Sequence, residues 1–297
     1  MATSAVFQHT LQGPVAFEGV GLHSGRTMTC VLRPAAAGAG VTFIRTDLAG
    51  DNRIPARADA VTRTQLGTVI GNAVGAEVST IEHLMSAFAA LGVDNAVVEL
   101  DGPELPIMDG SAEPFVRLID RAGVKRQEAP RRYIEIIEPI EVVDGDKRAA
   151  LVPADQFEMA FEIDFKSAAI GGQRIDMVLD EAAFREGVAE SRTFGFLHEV
   201  EALRKAGLAR GGSMDNCLVI DGDELMNPEG LRSSDEFVRH KALDALGDLY
   251  LLGAPIIGRF EGVLAGHTLN NALARALLAR PETWRTRLYG EDLAEAV

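Results

Sequence analysis

Two side chains four positions apart, His240 and Asp244, lie in the run SDEFVRHKALDALGDLY, where Phe237, Leu243 and Leu246 recur at helical spacing. Residues at i and i+4 project from one face of a helix, so this imidazole and carboxylate could both reach one metal ion. Asp248 extends the row by another turn. Taken alone, the pair is a helical His–Asp hydrogen bond or a solvated polar face. A second element, Glu82-His83, opens another helical run, but the residue four past His83 is Ala87, so that helix offers one ligand only. By itself it is a capping glutamate beside a packed histidine. Combined, two histidines and one aspartate leave the fourth tetrahedral position for water, the pattern of a catalytic zinc site; structural sites are closed and usually rich in cysteine.

Zinc bound in this way lowers the pKa of its water toward neutrality and polarises a scissile carbonyl, while an adjacent carboxylate such as Glu82 takes the proton. Amide hydrolysis also needs a proton for the departing amine and support for the oxyanion. His267, in the turn AGHTLNN, is a candidate for the first and is equally a surface histidine. Thr193, in SRTFGF, could donate to the oxyanion, or make only a local backbone bond.

The elements that must position these groups alternate in texture. Residues 1 to about 76 contain the strand-like segments VAFEGVGLH, MTCVLRP, GVTFIRT and GTVIG between Gly, Pro and Asp turns. Thr80 is then a candidate N-cap for a helix carrying Ile81, Leu84, Met85, Phe88 and Leu91. A strand from Asn95 to Leu100 and a helix over about 111–122 follow. The polar, basic segment 121–132 has no apolar period and is taken as a linker. Beyond it, YIEIIEPIEVV, RAALVPA, FEMAFEIDF and RIDMVL are strand-like. Then come a helical EALRKAGLARG, a strand around CLVID, a long helix over 234–252, the strand PIIGRFEGVL and a last helix over 269–278. The expected fold is α+β, with related domains at 1–126 and 127–297, an insertion at about 190–225, and a site at the domain interface.

Composition narrows the function class. With 47% hydrophobic and 25% charged residues the chain is ordinarily globular, and its net charge of −15 argues against a nucleic-acid partner. Cys30 and Cys217 sit in the apolar runs MTCVL and NCLVI, so both are expected as unpaired, buried strand residues of a reducing compartment. The start, MATSAVFQHTLQG, lacks the features of an export signal, and no stretch reaches the roughly 18 apolar residues of a spanning helix. A soluble, cytoplasmic, monomeric protein is expected.

Seven segments in order, GVGLHSG (19–25), RTDL (45–48), STIEHLMSA (79–87), LPIMDGSA (105–112), SRTFGF (191–196), RHKALDALGDLYLLG (239–253) and GHTLNN (266–271), resemble the UDP-3-O-acyl-N-acetylglucosamine deacetylases, zinc enzymes of lipid A synthesis. The resemblance implies that His83, His240 and Asp244 bind Zn2+, with Fe2+ also suited to the same ligands. It implies that Glu82 is the general base, His267 the general acid oriented by Asp248, and Thr193 the oxyanion donor. Lys241 would face the anionic part of a UDP-linked acyl amino sugar, and His23 would line the site. Phe165 matches a position that stacks on uracil, with Asp164 beside it. The insertion would form the acyl-chain passage, with Phe194, Leu197, Met214 and Leu218 as linings. One departure stands out: many relatives carry a diphosphate-contacting lysine where this chain has Leu264, which leaves Lys241, Arg192 or Arg239 for that task. The expected reaction is removal of the N-acetyl group. The alternatives are a zinc hydrolase acting on another acylated amino sugar and a non-catalytic nucleotide-lipid binding protein.

Overall fold

The computed structural model describes residues 6–288, so residues 1–5 of the segment expected to lack an export signal, and residues 289–297, lie outside it. The chain is α+β. Its first half builds a five-stranded sheet in the order Val15–Val20, Thr27–Pro34, Ala96–Leu100, Val41–Arg45, Arg53–Pro55. Its neighbours are antiparallel except Val41–Arg45 with Ala96–Leu100, which are parallel. In Thr27–Pro34, Met28, Cys30 and Leu32 are fully buried and alternate with less buried residues, so one face covers the core. The second half forms a seven-stranded sheet around Ile256–Val263, which pairs in parallel with Phe157–Asp164 and antiparallel with Lys147–Val152.

Six α-helices occur among the described residues: α1 (Glu82–Ala90), α2 (Glu113–Ala122), α3 (Glu181–Gly187), α4 (Leu197–Lys205), α5 (Glu236–Tyr250) and α6 (His267–Ala279). In both halves a helix, a strand and a second helix follow one another: α1, Ala96–Leu100, α2, and α5, Ile256–Val263, α6. Helices α1 and α5 pack together in the interior. Every residue from Glu82 to Phe88 is buried, and in α5 only Arg239 and Lys241 are not. Helices buried all round are normally apolar, so Glu82, His83, His240, Asp244 and Asp248 in this contact require partners.

Several expectations need correction. Segment 121–132 is no free linker: Val124–Pro130 is a strand paired antiparallel with Phe7–Leu11. No residue of that strand is fully buried, so it carries no apolar alternation, and Arg126 lies 3.7 Å over the Phe7 ring. Thr80 does not cap α1; Ile81 holds that position, and Thr80 has a φ of 57° with its hydroxyl bonded to Glu104. The helix expected over EALRKAGLARG starts earlier, at Leu197, and stops before Gly207, whose φ is 83°. Helix α3, which was not expected, is capped by Asp180 accepting from the Ala183 N–H. Cys217 precedes the strand Leu218–Asp221 and is half-buried; both cysteines are unpaired. In the insertion, Phe194–Phe196 pairs with Leu218–Asp221, and α4 lies against this small sheet without a fully buried residue. No helix among the described residues is long and apolar enough to cross a membrane.

Candidate metal and catalytic site

The α1–α5 contact brings together three ligand-type side chains from distant parts of the sequence. Nε2 of His83 lies 3.5 Å and Nε2 of His240 3.3 Å from Oδ1 of Asp244. One ligand atom from each of the three residues falls within 4.8 Å of the others, and all three residues are buried. The rings of His83 and His240 are nearly perpendicular, at 88°. Asp244 Oδ1 has no hydrogen-bond partner although it is buried, while Oδ2 accepts from Lys241 Nζ at 2.9 Å. Burial drives the His240 imidazole down to about 3 against the pull of Asp244, which keeps it neutral. Its Nδ1 donates to the Ser191 carbonyl at 3.0 Å, leaving the Nε2 lone pair facing Asp244. Two imidazole nitrogens and an unpartnered carboxylate oxygen converging in a buried space fit a divalent cation, and the donor set suits zinc and iron alike.

Glu82 stands beside this triangle at the start of α1. Its Oε2 accepts from the Thr68 N–H at 3.0 Å, and burial raises its carboxyl above the usual range. His267 is the first residue of α6, not part of the turn before it, because Gly266 takes the extended N-cap. Its Nδ1 donates to Asp248 Oδ2 at 2.8 Å, and its Nε2 lies 3.8 Å from Asp244. Burial alone would lower this histidine, but the Asp248 carboxylate outweighs it and lifts it to about 9, so its proton is held at neutral pH. Asp248 also accepts from Asn270 at 2.9 Å and from the Thr68 hydroxyl. Thr68 escaped the sequence reading; Asn270 carried a signal, lying one turn beyond His267 in GHTLNN.

Glu82, His83, His240, Asp244 and His267 line a cleft of about 420 Å³ that also includes Thr193, Phe194, Lys241, Leu264 and Lys147. Three non-glycine residues on its wall have left-handed backbones: Leu66, Thr80 and Leu264, with φ of 59°, 57° and 50°. Such strain gathers at functional sites. Leu66, Thr193 and Phe194 are shared with a second, more apolar groove of about 400 Å³ lined by His23, Leu197, Met214, Cys217 and Val219. Leu218 is not a lining residue: it is fully buried, and strand alternation turns its neighbours to the groove instead. His23 links two loops, its Nε2 lying 3.0 Å from the Leu66 carbonyl.

Phe165 does not line the cleft. It packs against Phe194 and Phe196 at centroid distances of 5.6 and 6.0 Å, with Asp164 exposed at the end of its strand. Two cations suggested for a phosphate are already engaged. Arg192 is buried between Glu236 and Glu229, and Arg239 bonds Asp235 and the Gly187 carbonyl. Lys147, missed in the sequence, takes their place on the cleft wall. Arg148 pairs with Val263 in the sheet, so the hairpin brings Lys147 beside Leu264.

The family model LpxC: UDP-3-O-acyl N-acetylglycosamine deacetylase matches residues 8–279. The chain is 68% identical over 293 residues to the UDP-3-O-acyl-N-acetylglucosamine deacetylase of Phenylobacterium zucineum, covering 98% of this chain and all of that protein. It is 49% identical to the enzymes of that name from Myxococcus xanthus (96% of this chain, 90% of the relative) and Shewanella frigidimarina (97% and 94%). By sequence over nearly its whole length, the chain belongs to the LpxC family of UDP-3-O-acyl N-acetylglycosamine deacetylases.

Proposed function

We propose that the protein is a zinc-dependent deacetylase acting on UDP-3-O-[(3R)-3-hydroxyacyl]-N-acetylglucosamine. It releases acetate and UDP-3-O-acyl-glucosamine, the committed step of lipid A assembly. The observation that carries this is the buried convergence of His83, His240 and Asp244 in the same cleft as a carboxylate, Glu82, and a protonated histidine, His267. Zinc held there would polarise the amide carbonyl and make a water acidic enough to be deprotonated near neutral pH. Glu82 takes that proton, its carboxylate steadied by the Thr68 N–H. Thr193 Oγ1 donates to the developing oxyanion. His267, oriented by Asp248, gives its proton to the departing amine.

Binding follows from the walls. The apolar groove receives the acyl chain, Phe194, Leu197, Met214, Cys217 and Val219 replacing its water contacts. Lys241 and Lys147 face the diphosphate, and Phe165 with Asp164 serves the uracil end. On this reading the domains divide at residues 126 and 127, and the protein works as a monomer in the reducing cytoplasm, where its unpaired thiols are stable.

Leu264 motivates a second reading, an amidohydrolase for another acylated amino sugar. Acetate release measured with and without the UDP group, before and after chelation, tests both. The proposal expects release that chelation abolishes and Zn2+ restores, falling at least about tenfold when UDP is absent, the loss of one good anchoring interaction. Comparable rates on both substrates would favour the second reading. A protein that binds no Zn2+ when it is supplied, and releases no acetate, would leave only a binding role.

A further inference from the structure

The two imidazoles of the triangle are held differently. His83 Nδ1 is buried with no hydrogen-bond partner, whereas His240 Nδ1 donates to the carbonyl of Ser191. That carbonyl belongs to the same peptide group as the Arg192 N–H, which donates to Glu236 Oε1 at 3.1 Å. Glu236 is the first residue of α5, one turn before His240 on the same face. A single peptide plane is therefore gripped at both ends by one helix, its N–H by the carboxylate at position 236 and its carbonyl by the imidazole at 240.

The grip is firm. The Glu236 carboxylate is fully buried and also accepts from Arg192 Nε at 2.8 Å, Arg192 Nη2 at 3.2 Å and the Arg232 N–H at 2.6 Å. Arg192 completes its bonds with Glu229 and the Gly230 carbonyl. A carboxylate drawing on a peptide N–H makes the carbonyl of that peptide a stronger acceptor, because hydrogen bonds in a chain polarise one another. A stronger acceptor at Nδ1 fixes the tautomer and plane of the ring and makes the opposite nitrogen a better donor to a cation.

We propose that Glu236 is a positioning residue for the metal site, acting on His240 through the Ser191–Arg192 peptide, with Arg192 holding its carboxylate in place. The inference rests on the reading of His83, His240 and Asp244 as metal ligands, and the test separates the two. Zn2+ affinity is measured by competition with a chelator for the wild type and for Glu236→Gln, alongside the proton shift of His240 Nδ1–H in the metal-free protein. The double variant Arg192→Met/Glu236→Leu removes both buried charges together, which is better tolerated than leaving one unpaired.

The expected result is Zn2+ binding weakened about 10- to 100-fold in both variants, the range for partners one shell removed from a metal, with the Nδ1–H signal moved upfield. The double variant should keep a cooperative thermal transition while its affinity stays low. Wild-type affinity and an unmoved signal in a folded Glu236→Gln variant would overturn the proposal, as would recovery of affinity in the double variant, which marks a purely structural ion pair. No Zn2+ binding by the wild type would instead remove the ligand reading and this inference with it.

Discussion

Gly247 stands inside α5, one turn before its C-terminal end, and glycine within a helix costs about 1 kcal/mol relative to alanine. Propensity alone therefore predicts that Gly247→Ala stabilises the protein. The packing predicts the reverse. A methyl group there would overlap the Glu82 carbonyl oxygen and lie 2.8 Å from the carbon of that carbonyl, whereas ordinary contact begins near 3.4 Å. Its neighbours are backbone atoms that cannot rotate away, so α1 and α5 must separate by at least about 0.6 Å, the shortfall in that carbon contact. Overpacking of this kind costs about 1–3 kcal/mol, which outweighs the gain in propensity. The same displacement carries Glu82 and His83 away from His240 and Asp244. As a misplacement of about 1 Å reduces a rate by about a hundredfold, activity should fall by roughly ten- to a hundredfold. The assays are thermal unfolding, Zn2+ affinity by chelator competition, and acetate release. The expected result is a lower Tm, by on the order of 2–4 °C for each kcal/mol, together with weaker Zn2+ binding. A Gly247→Ala variant of wild-type affinity and rate, whatever its Tm, would show that the spacing of these helices does not set the ligand triangle.

Two further outcomes follow from the geometry. Glu82→Gln removes the proton acceptor but no ligand, so kcat should fall by about 10²–10⁴-fold while metal content measured by mass spectrometry stays stoichiometric; an unchanged rate would remove Glu82 from the mechanism. Asp248→Asn deletes the carboxylate that holds the proton of His267, whose pKa of about 9 must then fall. Because the acid acts protonated and is lost as pH rises, the alkaline limb of the rate profile should move to lower pH by roughly one to three units; a limb that does not move would mean another group supplies the proton.

Much of the local structure was legible because it is written in near neighbours. The burial of Met28, Cys30 and Leu32 on alternate positions marks a strand, and the row His240, Asp244, Asp248 marks one face of a helix. The paired strand Val124–Pro130 was not legible, because it has no fully buried residue and is held by backbone bonds and the Arg126–Phe7 contact. Leu218 was assigned to the wrong side because a one-residue shift in a strand reverses which side chains face the groove. Arg192 looked available for a phosphate, since nothing in its neighbourhood in sequence announces the buried carboxylate 44 positions away.

The sequence by itself determined the chemical types available: a histidine and aspartate on one helix, a glutamate and histidine on another, and the helical and strand periods that decide which face each presents. Those follow from side chains two, three or four positions apart. The tertiary structure alone decided that Nε2 of His83 comes within 3.5 Å of Asp244, that the Asp248 carboxylate meets His267, and that a hairpin sets Lys147 beside Leu264. Such distances depend on how closely two helices approach and in which register strands pair, and both are fixed by packing among residues far apart along the chain.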